Sequence, residues 1–302
     1  MRKGVLLAAA MALASPIAAQ EDKAHEVMQQ MRAALGGAAL DRVQAIVVEG
    51  PFQREMGNRR VGGSLELTLQ LPSSMHRLET TELMGGMAIE RRSALKGDTA
   101  WDDIQNRGGM GGGMLVMREG PPGRELNAAQ IEEARLRRLR AEMRRYLLAF
   151  LGGATLSPTY VAVAEAPEGR ADVIEVADER GGAIRLFVSQ QTHLPLMLQY
   201  REVRPRINTL VDGPRRGAAE RRGGAQGERR APDPEEIRKR LENMPPPEPV
   251  TVTLYLADFT RVDGVLFPRR ITQSIEGAPV EEWTIERIRV NPEIKPDLFE
   301  RK

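Results

Sequence analysis

Residues 64–71 read SLELTLQL, with Leu65, Leu67, Leu69 and Leu71 at every second position and Ser64, Glu66, Thr68 and Gln70 between them. Side chains of a strand point alternately to its two faces, so this run has one apolar face and one polar face. A helix cannot satisfy that period, and a half-buried strand needs partners on both edges. Runs of similar character follow one another over 43–49, 75–82, 87–95, 99–104, 160–165, 171–178, 183–190, 194–202, 250–259, 265–273 and 280–290. Pro72-Ser73, Gly97-Asp98, Pro167-Glu168-Gly169 and Gly181-Gly182 supply turns between them. The pattern predicts an antiparallel sheet of about ten strands, covered on one side only. A sheet that wide curls, because every strand pair adds twist of the same hand.

Two segments carry the helical period instead. From Glu21 to Leu35, Ala24, Val27, Met31 and Leu35 share a face, and Gly36-Gly37 stops the helix. The second helix opens at Asn127 with Gln130 three positions on, a capping box, and Leu126 with Ile131 forms a staple across the cap. Its apolar stripe is Leu136, Leu139, Met143, Leu147 and Phe150, and Gly152-Gly153 ends it. The other face carries Arg137, Arg138, Arg140, Arg144 and Arg145. These arginines are expected to be solvated, or, if the helix is a lid, to touch anionic lipid headgroups. The predicted fold class is α+β: a curved antiparallel sheet forming a half-barrel of about ten strands, closed by two or more amphipathic helices.

Near the end of the chain, FTRVDGVLFPRRITQSIEG (259–277) places Asp263-Gly264 between alternating runs, the strongest short hairpin signal. Val265, Phe267, Ile271 and Ile275 recur at even spacing on the returning strand. Pro268 lacks the N–H that a ladder needs, so this strand is expected to start at a sheet margin or to carry a bulge.

The first nineteen residues have the form of an export signal: Arg2 and Lys3, an apolar run over Val5–Ala14, and a small-residue cleavage site at Ile17-Ala18-Ala19. The apolar run is too short to span a bilayer as a helix. With no Cys among 302 residues, neither a lipid-attached N-terminal Cys nor a disulfide can form. The expected location is the periplasm, with cleavage near Ala19 and no lipid anchor. Formal net charge is +2, and loss of Arg2 and Lys3 leaves the chain close to neutral, which argues against a nucleic-acid binder. Residues 20–302 are expected to form one domain. It is interrupted by a Gly/Met-rich loop at 105–125 and by an Arg/Gly/Pro-rich insertion at 205–249 whose composition predicts disorder.

Catalytic constellations are not evident. The three histidines, His25, His76 and His193, have no zinc spacing, and there is neither a Cys nucleophile nor a GxSxG elbow. Asp102-Asp103 are neighbours that would point to opposite faces of a strand, and a place at a turn is expected for them. The run GGMGGGMLVM lacks the GK[ST] ending of a phosphate loop. Met84, Met87, Met110, Met114 and Met117 could offer thioethers to Cu(I), but flexible Met on Gly-rich loops reads better as an adaptable apolar gate. No enzyme activity, metal or cofactor is expected.

Four stretches resemble a known family in the order expected for it. ALGGAALDRVQAIVVEG (34–50), FVSQQTHLPLMLQY (187–200), FTRVDGVLFPRRI (259–271) and VNPEIKPDLF (290–299) are similar to elements of the LolA/LolB-like periplasmic outer-membrane lipoprotein carriers, especially their lipoprotein-sorting branch. The resemblance implies an incomplete antiparallel barrel around an apolar cavity that holds acyl chains, with helices as a lid. The chain is longer than these carriers, and none of their functional polar residues can be placed on it. On strand phase and loop position, the candidate lipid-binding residues are Leu65, Leu67, Leu69, Met84, Met87, Ile89, Leu186, Leu196, Leu254, Leu256 and Phe267. The implied function is a monomeric periplasmic carrier for an acyl chain or lipoprotein, with transient membrane-surface contact. The alternative is an envelope sensor or scaffold that binds a protein partner through the same fold and its insertion.

Overall fold

Ala45–Met56 forms the strand, β1, about which the whole sheet is organised. In the computed structural model of the chain, the described residues are 16–57, 59–83, 86–107, 127–153, 157–166, 169–177, 182–203 and 248–301. One meander runs away from β1 through β2 (Arg59–Gln70), β3 (Ser74–Glu82), β4 (Ala88–Lys96) and β5 (Thr99–Arg107). Helix α1 (Pro16–Leu35) precedes it and helix α2 (Ala128–Leu151) follows it. A second meander then passes through β6 (Thr159–Ala166), β7 (Gly169–Ala177), β8 (Ala183–Ser189), β9 (Pro195–Val203) and β10 (Pro249–Ala257). The short hairpin β11 (Thr260–Val262) and β12 (Val265–Phe267) stands apart from the sheet. Last come β13 (Arg270–Ile275), β14 (Ala278–Thr284) and β15 (Arg287–Val290).

The resulting order is β5-β4-β3-β2-β1-β14-β13-β10-β9-β8-β7-β6, with β15 also on β1, making thirteen antiparallel strands among the described residues, with β5 and β6 outermost. The sheet is therefore open, and it holds more strands than the sequence predicted. Both long C-terminal runs split in two. Pro268 ends β12, and the chain re-enters the main sheet only at Arg270, so the Asp-Gly hairpin is not a margin of the sheet. Asp263 and Gly264 have φ of 49° and 86°, the left-handed pair that a tight hairpin turn needs.

At the seam, β1 pairs β15 through Ile46–Glu49 and β14 through Phe52–Arg54. Gly50 lies between these two ladders, where an added Cβ would stand 1.9 Å from the Thr284 carbonyl oxygen. Only glycine permits that approach.

Both helices lie on one face of the sheet and share a single apolar core with it. Ala24, Val27, Met31 and Leu35 of α1 and Leu139, Met143 and Phe150 of α2 are buried with Ile46, Leu67, Leu186, Leu198 and Val252 of the strands. Helix α1 packs on β6 and β12, α2 packs on β4, β5 and β9, and Arg32 of α1 donates to the Leu151 carbonyl at 3.2 Å where they meet. The α1 helix starts at Pro16, five residues before the expected Glu21, and residues 1–15 lie outside the described residues. Asn127 accepts from the Gln130 amide and Gln130 returns the bond, while Gly152 closes the helix at φ 67°, as the capping signals predicted.

The opposite face is not wholly wet. The row Val47–Thr68–His76–Ala94–Trp101 is buried from end to end on that outer side. The C-terminal 3-10 turn Pro296–Phe299 packs over β3 and β4, and the Trp101 indole donates to the Phe299 carbonyl at 2.9 Å. A sheet read as covered on one side thus carries a small second layer. Residues 108–126 and 204–247, which include nearly all of the Gly/Met loop and the insertion, lie outside the described residues.

Candidate functional site

The ladder registers sort the inner face of the first meander into rows. The row nearest one end is Leu69–Met75–Leu95–Ala100, which is apolar throughout. The next is Leu67–Arg77–Ser93–Asp102, and the one after is Leu65–Glu79–Arg91–Ile104. Leucines on β2 therefore give way, strand by strand, to charge. On the second meander the inner row Leu254–Leu198–Leu186–Ile174 is apolar again.

Helix α2 covers the charged sector and contributes to it. Arg54 of β1 donates to Glu79 at 2.7 Å and also pairs with Glu281 of β14. Arg77 pairs with Glu79 across β3 and lies 3.6 Å from Glu142 of α2. Asp102 is paired with Arg138 and lies 3.7 Å from Arg135, both on α2. Burial alone would raise the Glu79 carboxyl, but Arg77 and Arg54 outweigh it and hold it at about 2. Burial likewise opposes the charge on Arg77, and Glu79 with Glu142 more than restores it. Burial raises the Tyr146 phenol, whose ring stacks on Phe150 at 6.1 Å in the adjoining apolar core.

This corrects the expectation of a solvated arginine face. Among the five arginines, Arg137 pairs with Glu133 along the exposed side of the helix. The others turn to the strands: Arg138 to Asp102, Arg140 to Asp98, and Arg144 to the Ala177 carbonyl at 2.6 Å. Arg145 is buried, 3.7 Å from Glu202, with its guanidinium 3.6 Å above the Tyr200 ring. Nor do Asp102 and Asp103 edge a turn; they lie within β5, with Asp102 directed at α2.

The candidate lipid-binding residues divide clearly. Leu65, Leu67, Leu69, Leu186, Leu256 and Phe267 are fully buried in the common core, and Leu254 is half-buried against it. Ile89 is half-buried on the inner face beyond the charged rows. Leu196 is half-buried at a register shift between β8 and β9, and Met87 is exposed. Met84, Met110, Met114 and Met117 lie outside the described residues. Two clefts of about 400 Å³ each are present, and neither lies in the core: one is at Val43, Gln70 and Asn291, the other at Lys96, Trp101, Arg135 and Arg301 beside the β5 edge. Under the helices the described residues share one apolar core, in which Leu35, Leu139, Leu148 and Phe150 are fully buried.

Sequence reasoning missed the charged sector entirely. The signal was present in β3, SMHRLETTE, where Arg77 and Glu79 occupy the parity of Met75. Read alone, that run has no clean alternation. Its inner face becomes visible only when Leu67 and Leu65 are set opposite Arg77 and Glu79.

The arrangement is that of a non-closed antiparallel sheet with helices laid over one face. No known family's sequence profile matches the chain, and no curated protein is matched by its sequence. Solved structures similar to it include one described as an outer membrane lipoprotein-sorting protein domain from Vibrio parahaemolyticus. That structure is 8% identical at a TM-score of 0.46, with 93% of this chain and 97% of that chain covered. A DUF1329 family protein from Desulfovibrio piger is 10% identical at a TM-score of 0.46, with 95% and 98% covered. A LolA superfamily protein from Nitrosomonas europaea is 9% identical at a TM-score of 0.45, with 92% and 97% covered. These names match the superfamily that residues 34–50, 187–200, 259–271 and 290–299 resemble in sequence.

Proposed function

We propose that the protein is a non-enzymatic periplasmic carrier that shelters the acyl chain of a lipid or lipoprotein between the inner face of a half-barrel sheet and its helices. The observation that carries this reading is the nature of the cover. Helix α2 contributes Leu139, Met143 and Phe150 to the core, yet polar contacts join its rim to the strands at Asp98, Asp102 and Ala177. A helix attached in this way can lift without breaking a strand ladder, and an acyl chain then takes the place of its apolar stripe. Each methylene so buried contributes about 0.8 kcal/mol, so a long chain offsets the loss of helix packing. Leu65, Leu67, Leu69, Leu186, Leu254, Leu256 and Phe267 are the residues proposed to meet it.

The decisive experiment is native mass spectrometry of residues 20–302, purified from a bacterial periplasm without detergent, followed by solvent extraction of the same sample. A co-purifying acyl species near one per chain is the expected result. A bare mass, with no uptake of added fatty acid, would exclude the carrier.

One observation favours a second reading. Side chains of α1 and α2 are buried in the core, as suits an envelope sensor or scaffold that uses this fold as a platform and residues 205–249 as its docking arm. On that reading, no lipid is extractable and deletion of 205–249 abolishes partner capture.

A further inference from the structure

We propose that the arginines under α2 form a subsite for the anionic head of the bound acyl ligand, a carboxylate or phosphate that takes the place now held by the Glu142 carboxylate. The inference rests on the carrier reading and specifies which acyl compounds the site accepts.

Three observations carry it. First, on the inner face Leu67 of β2 lies opposite Arg77, and the row from Leu65 reaches Arg91 through Glu79, so a chain crossing from the leucines to these rows brings its end to the guanidiniums. Second, one cation of the sector stands outside its ion pairs. Arg54 and Arg77 are paired to Glu79, and Arg138 to Asp102. The Arg91 side chain has no ion pair or hydrogen bond among the described residues, and its Nε is buried and unsatisfied, as are those of Arg77 and Arg135. Its surroundings disfavour its charge, through burial first and then through the like charges of Arg77 and Arg138. Buried polar groups are normally satisfied, and an unmatched guanidinium is a ready partner for a planar anion.

Third, the weakest anion is on the movable part. Glu79, Glu281 and Asp102 belong to strands, whereas Glu142 belongs to α2 and stands 3.6 Å from the Arg77 Nε, too far for a hydrogen bond. Lifting α2 removes Glu142 from Arg77 and Arg91 and leaves them facing the vacated space. An incoming carboxylate or phosphate replaces it, while a neutral head leaves Arg91 without that counter-charge, Arg77 keeping Glu79. Glu142 is thus an internal substitute for the head of the ligand.

The test is calorimetric titration of residues 20–302 with laurate, dodecyl phosphate and neutral monolaurin at pH 8. The two anions are expected to bind at least about tenfold more tightly than monolaurin, the worth of one charge-assisted bond. Arg91→Gln should reduce laurate to the level of monolaurin, and Glu142→Gln should strengthen laurate binding by removing the internal competitor. Equal affinity for all three probes overturns the subsite and leaves the carrier standing. Absence of binding by any probe removes the carrier and the subsite together. Inorganic phosphate that stabilises the protein as much as laurate does, in an Arg91-dependent way, overturns the lipid-head assignment in favour of a free anion. Should Arg91→Gln fail to fold, Glu142→Gln decides, and laurate affinity unaltered by it overturns the proposal.

Discussion

Two buried ionisable side chains on opposite faces of β3 give the protein a defined response to acid. The His76 ring is held at about 4, against an ordinary value of 6.5, by burial and by the neighbouring Arg92. The unfolded chain takes up that proton first, so stability contributed by the neutral ring falls as pH drops from 6.5 towards 4. Glu79 follows lower on the scale. Its folded value of about 2 lies below the ordinary 4.5, so its ion pairs contribute above that value and are lost as pH falls towards 2. Urea midpoints measured across this range should decline in two steps, and His76→Phe should flatten the upper one alone. Glu79→Ala, at neutral pH, leaves Arg54 and Arg77 buried without their shared partner and should cost about 3–5 kcal/mol. A loss below about 1 kcal/mol, the surface-pair range, would mean that the cluster is open to water.

At the scale of elements, the covering helix was legible and its attachment was not. The capping box at Asn127, the apolar stripe and the glycine stop mark α2 in the sequence because each acts within a few residues of chain. Asn127→Ala should accordingly lower stability by about 1 kcal/mol in denaturant titrations, with no change in the fold. The arginines of α2 misled because a helical wheel shows only which side is polar. It cannot show that Asp98 and Asp102, far away in the chain, wait beneath that side. The split at Pro268 was half legible: proline announced a break, but a bulge and a change of partner look alike until β13 is seen beside β10. The second layer over β3 and β4 was not legible because the turn that forms it lies about two hundred residues further along the chain. Phe299→Ala should therefore destabilise the protein by about 3–5 kcal/mol although it lies three residues from the end. A change within experimental error would show that the outer layer is not part of the cooperative core.

For the whole molecule, the two helices divide the cover unequally. Helix α1 meets the core through apolar residues, whereas α2 adds a rim of ion pairs that salt weakens once they are partly exposed. Amide exchange should therefore quicken in α2 more than in α1 when sodium chloride is raised to about 1 M, where screening acts within a few ångströms. Equal change in both helices would mean that they open together with the sheet. On the proposed carrier reading, added laurate should slow exchange on the inner strands without restoring the ion pairs of α2.

The placement of β14 and β15 against β1 also governs how the molecule can be assembled. Strands β1 to β5 can zip in the order in which they are made, since each pairs with the one before it. The other edge of β1 waits for residues 278–290, the last strands of the chain. A polypeptide emerging N-terminus first therefore leaves that edge of the central strand unpaired until residues 278–290 have been made. Contacts across most of the sequence must close before the two meanders become one sheet, which places folding among slow, topology-limited reactions. Until then the nascent chain depends on a chaperone or on speed.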